Sequence, residues 1–225
     1  MREKPTEDYI YHIYNRGVDK RDIFNNDNDR RRFLACLQYF NDTNQVKNIE
    51  RLCDIQSSTN NDDRDKLVEI LAFVLMPNHY HLLVKPLVED GVSEFMKKIG
   101  IGYTHYFNIK NQRSGTLFQG KYKFVRIESD DQLAYIPYYI HFNPIELIES
   151  EWKEKEVKDK DQALDFLKSY PWSSLNDYLG HGRFSRIIDK EILSNYLGEP
   201  NELEKEVEDW LGEMDSPNHI NLWIE

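Results

Sequence analysis

His79 and His81 stand one residue apart in Met76-Pro77-Asn78-His79-Tyr80-His81-Leu82-Leu83-Val84. Side chains on a strand alternate between faces, so residues two apart project from the same face. On a strand this pair presents two imidazoles side by side, with Tyr80 on the opposite face. Two neutral imidazoles at that separation can grip one divalent ion but leave its coordination shell incomplete. No CxxC or HExxH motif accompanies them, which argues against a closed structural zinc site. An isolated pair of this kind is more often structural, so the rest of the chain must supply further ligands and a nucleophile.

Tyr138-Tyr139-Ile140-His141-Phe142-Asn143-Pro144 offers both. Tyr139 and Asn143 are four apart and share a face if the helix persists. Asn143 precedes a proline, which biases it away from the helical region. One face would then present a phenolic oxygen and an amide oxygen to the same ion. A free phenol, with a pKa of about 10, is a poor nucleophile at neutral pH. A divalent ion bound by His79, His81 and Asn143 would polarise a scissile phosphate and stabilise the developing charge. Phenolate attack on phosphorus then yields a phosphotyrosine and a free 3′-OH. Tyr135 and Tyr138 compete with Tyr139 for this role, and Pro137 beside them can kink the helix or begin a new one.

The elements that must position these groups are legible in outline. Residues 9–15 are aromatic and β-branched and read as a strand ended by Arg16-Gly17. Asp27-Asn28-Asp29 offers caps to a helix over 30–40. A polar loop is expected over 54–66. Residues 69–75 and 79–85 read as strands joined at Pro77-Asn78, as a hairpin or as one long bent strand. Apolar residues at 92, 95, 96, 99, 103, 106 and 107 keep helical spacing. Gly115 and Gly120 flank a loop, residues 122–127 form a further strand, and Ser129-Asp130-Asp131 starts a last helix that Pro144 stops. This order matches an α+β, ferredoxin-like fold: an antiparallel sheet with helices on one face, the HxH strand central, and the final helix across the sheet. A catalytic domain is expected over 1–150, followed by an acidic, mainly helical extension over 151–225 that includes an almost wholly charged stretch at 151–160.

The chain has 225 residues, and its only cysteines are Cys36 and Cys53. That does not indicate a disulfide framework and fits a reducing compartment, so a cytoplasmic protein is expected. No apolar run is long enough to span a bilayer. The net charge is −11, of which −9 falls in residues 151–225. Residues 97–126, by contrast, hold Lys97, Lys98, Lys110, Arg113, Lys121, Lys123 and Arg126 and no acidic residue. They are a local basic footprint on an otherwise acidic protein.

At its motifs the chain resembles the single-tyrosine HUH transposases of insertion sequences, most closely their REP-associated branch. The matching pieces are His12-Ile13-Tyr14-Asn15-Arg16-Gly17, Met76 to Val84, Tyr106-Phe107-Asn108, Arg113 to Lys123, Tyr139 to Pro144, and Tyr170-Pro171-Trp172-Ser173-Ser174. They run in order over roughly residues 8–180. The resemblance implies cleavage of single-stranded DNA through a covalent 5′-phosphotyrosine. It assigns the nucleophile to Tyr139, the metal ligands to His79, His81 and Asn143, and the ion to Mg2+ or Mn2+. The chain departs from the pattern at Asn143-Pro144-Ile145-Glu146-Leu147, where Glu146 replaces a basic residue.

The expected partner is single-stranded or hairpin DNA, and a homodimer stays open. Arg113, Lys121, Lys123 and Arg126 are expected on phosphates, with Asn15, Arg16 and Gln119 on bases or a hairpin foot. Replacing Arg113 and Lys121 by alanine is expected to weaken binding and flatten its salt dependence. Two other readings are a domesticated hairpin-binding protein without transposition activity and a phosphodiesterase that uses water as nucleophile.

Overall fold

A computed structural model describes residues 4–45, 64–152 and 157–213. Four strands form one antiparallel sheet: β1 (Tyr11–Arg16), β2 (Val68–Leu75), β3 (His79–Pro86) and β4 (Lys123–Arg126), in the order β2-β3-β1-β4. Helix α1 (Asp27–Tyr39) joins β1 to β2, and α2 (Gly91–Lys110) joins β3 to β4. This is the ferredoxin-like connectivity, with the HxH strand internal. The polar loop expected over 54–66 lies outside the described residues up to 63, as does much of the charged stretch at 151–160.

Alternation decides which face meets which helix. On β3, Tyr80, Leu82 and Val84 are buried, and Tyr80 packs against Phe33 of α1 at 4.9 Å between ring centroids. Phe33 in turn meets Tyr103 of α2 at 5.0 Å, so α1 and α2 cover this face together. Helix α1 begins at Asp27, three residues before the expected start. Its cap is Asn26, whose side chain accepts from the backbone N–H groups of Asn28 and Asp29.

The β2–β3 connection is a hairpin rather than a bent strand. The Met76 N–H donates to the His79 carbonyl at 2.9 Å across Pro77-Asn78. The carbonyls of that turn accept from Gly17, Ile23 and Phe24, which ties it to the end of β1. Gly17 is needed there for space: a Cβ would lie 2.2 Å from the Arg21 carbonyl oxygen. Gly17→Ala is therefore expected to lower stability by about 1–3 kcal/mol, seen as a Tm drop of several degrees. An unchanged Tm would show that the 17–21 turn yields freely.

The opposite face carries α3 (Asp130–Phe142), capped by Ser129, whose hydroxyl accepts from the Gln132 N–H. Pro137 leaves the helix continuous. A 3-10 turn, Asn143–Leu147, follows directly. Asn143 adopts φ −48°, ψ −36°, against the bias that a following proline imposes. Its side-chain amide donates to the Tyr139 carbonyl at 2.8 Å, one turn back along the helix.

Among the described residues four helices follow: α4 (Lys160–Ser169), α5 (Leu175–Tyr178), α6 (Glu191–Leu197) and α7 (Pro200–Glu213). Tyr170 to Ser174 seals the free edge of β2. The Leu75 N–H donates to the Trp172 carbonyl, the Ser174 N–H to the Phe73 carbonyl, and the Tyr170 hydroxyl to the Leu75 carbonyl. An edge strand covered in this way cannot pair with another chain. His141 of α3 joins the same seam through its Nε2 and the Ser174 hydroxyl at 2.9 Å, and full burial pushes its pKa down to about 3. Among the described residues, no helix is long and apolar enough to cross a membrane.

Candidate active site

The antiparallel register of β1 against β3 builds the site. Tyr14 is opposite His81, Arg16 opposite His79, and His12 opposite Leu83. All of these share the sheet face that α3 covers. On the other side of β1, Tyr14 is opposite Lys123 of β4, which brings that lysine to the same face. Its ammonium lies 5.4 Å from the centre of the Tyr14 ring.

His79 and His81 meet edge to face, with ring centroids 5.1 Å apart. Their second nitrogens are fixed differently. The Nδ1 of His79 pairs with Asn78 Oδ1 at 2.6 Å. The Nδ1 of His81 pairs with Nε2 of the buried His12 at 2.8 Å, and the two rings stack with 13° between their planes. A partner on one ring nitrogen sets the tautomer and turns the other nitrogen toward a ligand. His12 lies within one of the sequence motifs, but the sequence alone assigns it no role. Its place on the same face of β1 as Tyr14 follows from strand alternation, but the register that brings it to His81 does not.

The three candidate tyrosines of α3 divide between two sides of the helix. Tyr139, 3% exposed, sets the edge of its ring against both His12 and His81, at 5.6 Å from each centroid. Tyr138 stacks on Trp210 of α7 at 4.9 Å and donates its hydroxyl to Glu206. Tyr135 also meets Trp210, at 5.3 Å. Burial raises the pKa of both Tyr135 and Tyr138, and the Glu206 carboxylate raises that of Tyr138 further. Neither is placed or ionised to serve the histidines. Asn143 is fully buried one turn beyond Tyr139, and its Oδ1 has no hydrogen-bond partner among the described residues.

A cleft of about 530 Å3 opens over the histidines, lined by Tyr14, Arg16, Lys20, His79, His81 and Lys123, with Glu146 and Trp152 also on its wall. Tyr139 and Asn143 are not in its lining. Among the expected DNA contacts, Arg16, Lys123, Asn15 and Gln119 line this cleft. Gln119 accepts from Arg16 Nε at 2.6 Å, and Asn15 donates to the Gly120 carbonyl at 3.2 Å, so both also shape the loop.

The basic window does not form one face. Arg113 is held within its own loop, donating to Asn108 Oδ1 at 2.6 Å and to the Thr116 carbonyl at 2.9 Å. Arg126 pairs with Glu128 and lies over the Tyr9 ring. Lys121 sits with Lys97 in a separate groove beside α2. Lys98 bonds Glu94, and Lys110 bonds the buried Asp29. Lys20, outside the window, lies in the cleft instead. The cause is the winding of α2 and the strand alternation of β4, which send neighbouring cations to different sides.

Residues 6–143 match the family of IS200-like transposases, and the chain belongs to that family. Among solved structures it is similar to a REP-associated tyrosine transposase bound to a REP hairpin. That likeness is 15% in sequence identity, with a TM-score of 0.49, over 85% of this chain and 92% of that one. No curated protein matches it in sequence.

Proposed function

We propose that this protein is a transposase of the REP-associated type, which cleaves and rejoins single-stranded, hairpin-containing DNA through a covalent 5′-phosphotyrosine on Tyr139. The observation that supports this most is the choice among tyrosines. Tyr139 alone of the three on α3 is set against the histidines of the sheet, while its neighbours are turned into the α7 interface.

The donor set fits a divalent ion. Two imidazoles and an amide oxygen suit Mg2+ or Mn2+, with nitrogen ligands favouring Mn2+. The third protein ligand of this set is an amide rather than a carboxylate. The buried Oδ1 of Asn143 is the fitting atom. His12 on Nδ1 of His81 gives any metal bond of that ring to Nε2. Held by His79, His81 and Asn143, the ion would neutralise charge on the scissile phosphate.

The residues of the chain do the rest. The Tyr139 phenol gives up its proton, and its oxygen attacks phosphorus in line with the 3′ oxygen. The new O–P bond forms as the P–O3′ bond breaks, and the 3′ oxygen takes up a proton and leaves as a 3′-OH. Attack by a 3′-OH on the phosphotyrosine reverses the step and rejoins strands. Arg16, Lys20 and Lys123 bind flanking phosphates. Lys20→Ala with Lys123→Ala should therefore lower the salt slope of single-strand binding by about 1.4, at roughly 0.7 per phosphate contact. Anisotropy titrations over a range of salt read this directly, and an unchanged slope would remove both lysines from the interface. Arg113→Ala is expected instead to act on the loop's stability.

The test is a denaturing gel of protein incubated with labelled single-stranded hairpin DNA, with Mn2+ or with chelator. A metal-dependent, SDS-stable adduct is expected. Tight hairpin binding with no adduct under any condition would support a binding protein without transposition activity.

A further inference from the structure

The cleft over the histidines carries charges of opposite sign on different elements. Arg16 of β1, Lys20 of the following turn and Lys123 of β4 supply the cations. The segment after α3 supplies Glu146 and Glu151. Glu146 is exposed in the cleft and makes no hydrogen bond or ion pair with another described residue. It is therefore not held by a direct ion pair to Arg16, Lys20 or Lys123.

We propose that Glu146 is a specificity-determining residue that accepts hydrogen bonds from the Watson–Crick edge of one unpaired base, guanine before any other, while the basic residues hold the adjoining phosphates. The inference rests on the DNA-cleaving reading of this cleft. It follows from what a DNA strand can offer a carboxylate. Phosphates repel it, and deoxyribose inside a strand has no hydroxyl. The only strong donors left are base N–H groups, which an unpaired base exposes on its Watson–Crick edge.

Guanine presents N1–H and the N2 amine side by side, a match for the two oxygens of one carboxylate. Adenine and cytosine each offer a single amine beside an acceptor nitrogen that a carboxylate repels. Thymine offers one N–H between two carbonyls and is the poorest ligand. With phosphates drawn to Arg16, Lys20 and Lys123 and a base edge drawn to Glu146, the cleft also fixes which side of the strand faces the histidines.

The experiment measures equilibrium binding without metal, so that cleavage plays no part. Hairpin oligonucleotides with a short single-stranded flank carry G, A, C or T at each flank position in turn. At one position the wild type should prefer guanine over thymine by about tenfold or more. Glu146→Ala should level that preference while thymine-bearing DNA binds within about twofold of wild type. Glu146→Gln should move the preference toward adenine, because an amide pairs with adenine in bidentate fashion. Wild-type binding without base preference, or a guanine preference that survives in Glu146→Ala, would overturn the role of Glu146 and leave hairpin recognition standing. Failure of the wild type to bind any hairpin would instead overturn the functional reading and this inference with it.

Discussion

Tyr139→Phe is expected to abolish the covalent protein–DNA adduct and to lower strand cleavage by at least about a thousandfold, with hairpin affinity little changed. The substitution removes only the phenolic oxygen, so the ring can keep its edge contacts with His12 and His81. The loss would then report the nucleophile and not the packing. Tyr138→Phe is the matched control. It deletes the hydroxyl that donates to Glu206, at a cost of about 1 kcal/mol or less in stability because Glu206 is exposed. Its adduct yield should stay near wild type. Residual adduct in Tyr139→Phe that disappears only in a double variant with Tyr138 or Tyr135 would move the nucleophile to the other face of α3.

The second large effect concerns the histidines. His79→Ala and His81→Ala each remove half of the imidazole donors and are expected to eliminate metal-dependent cleavage at physiological ion concentrations. His12→Ala removes no proposed ligand, yet it should weaken divalent-ion affinity about 10–100-fold, the range seen when the partner that orients a metal-binding histidine is lost. Titration of cleavage against Mn2+ separates these cases. His12→Ala should shift the half-saturating ion concentration and recover much of its rate at high Mn2+, whereas His81→Ala should not recover. His12→Gln, which can still offer a hydrogen bond near the place of Nε2, should restore part of the affinity. Equal ion dependence in wild type and His12→Ala would reduce the His12–His81 bond to a packing contact.

Strand alternation and helical spacing are local, and what depends on them alone was readable. The HxH pair on a central strand, the βαββαβ order, the Ser129 start of α3 and the shared face of Tyr139 and Asn143 all follow from residues within a few positions of one another. What escaped reading depends on pairing between distant segments. Nothing near His12 shows that β1 lies beside β3 in the register that brings its imidazole onto His81. Nothing near Tyr138 shows that Trp210, some seventy residues later, will claim its ring. The basic window misled for the same reason. Its charges are close in sequence, but α2, the loop after it and β4 distribute them to separate surfaces, while Lys20 and Arg16 reach the cleft from β1 and the turn after it. Tyr170 to Ser174 was legible as a motif, but its task of closing the β2 edge appears only once that edge exists.

Covalent joining of Tyr139 to DNA is the step on which the proposed transposase function depends. The most direct measurement is mass spectrometry of the protease-digested adduct, formed with Mn2+ on a single-stranded hairpin, to find the peptide that carries the phosphonucleotide. A 5′-phosphorylated nucleotide is expected on Tyr139, absent when chelator replaces the metal. The same mass on another tyrosine, or cleaved DNA with no modified peptide at all, would contradict it.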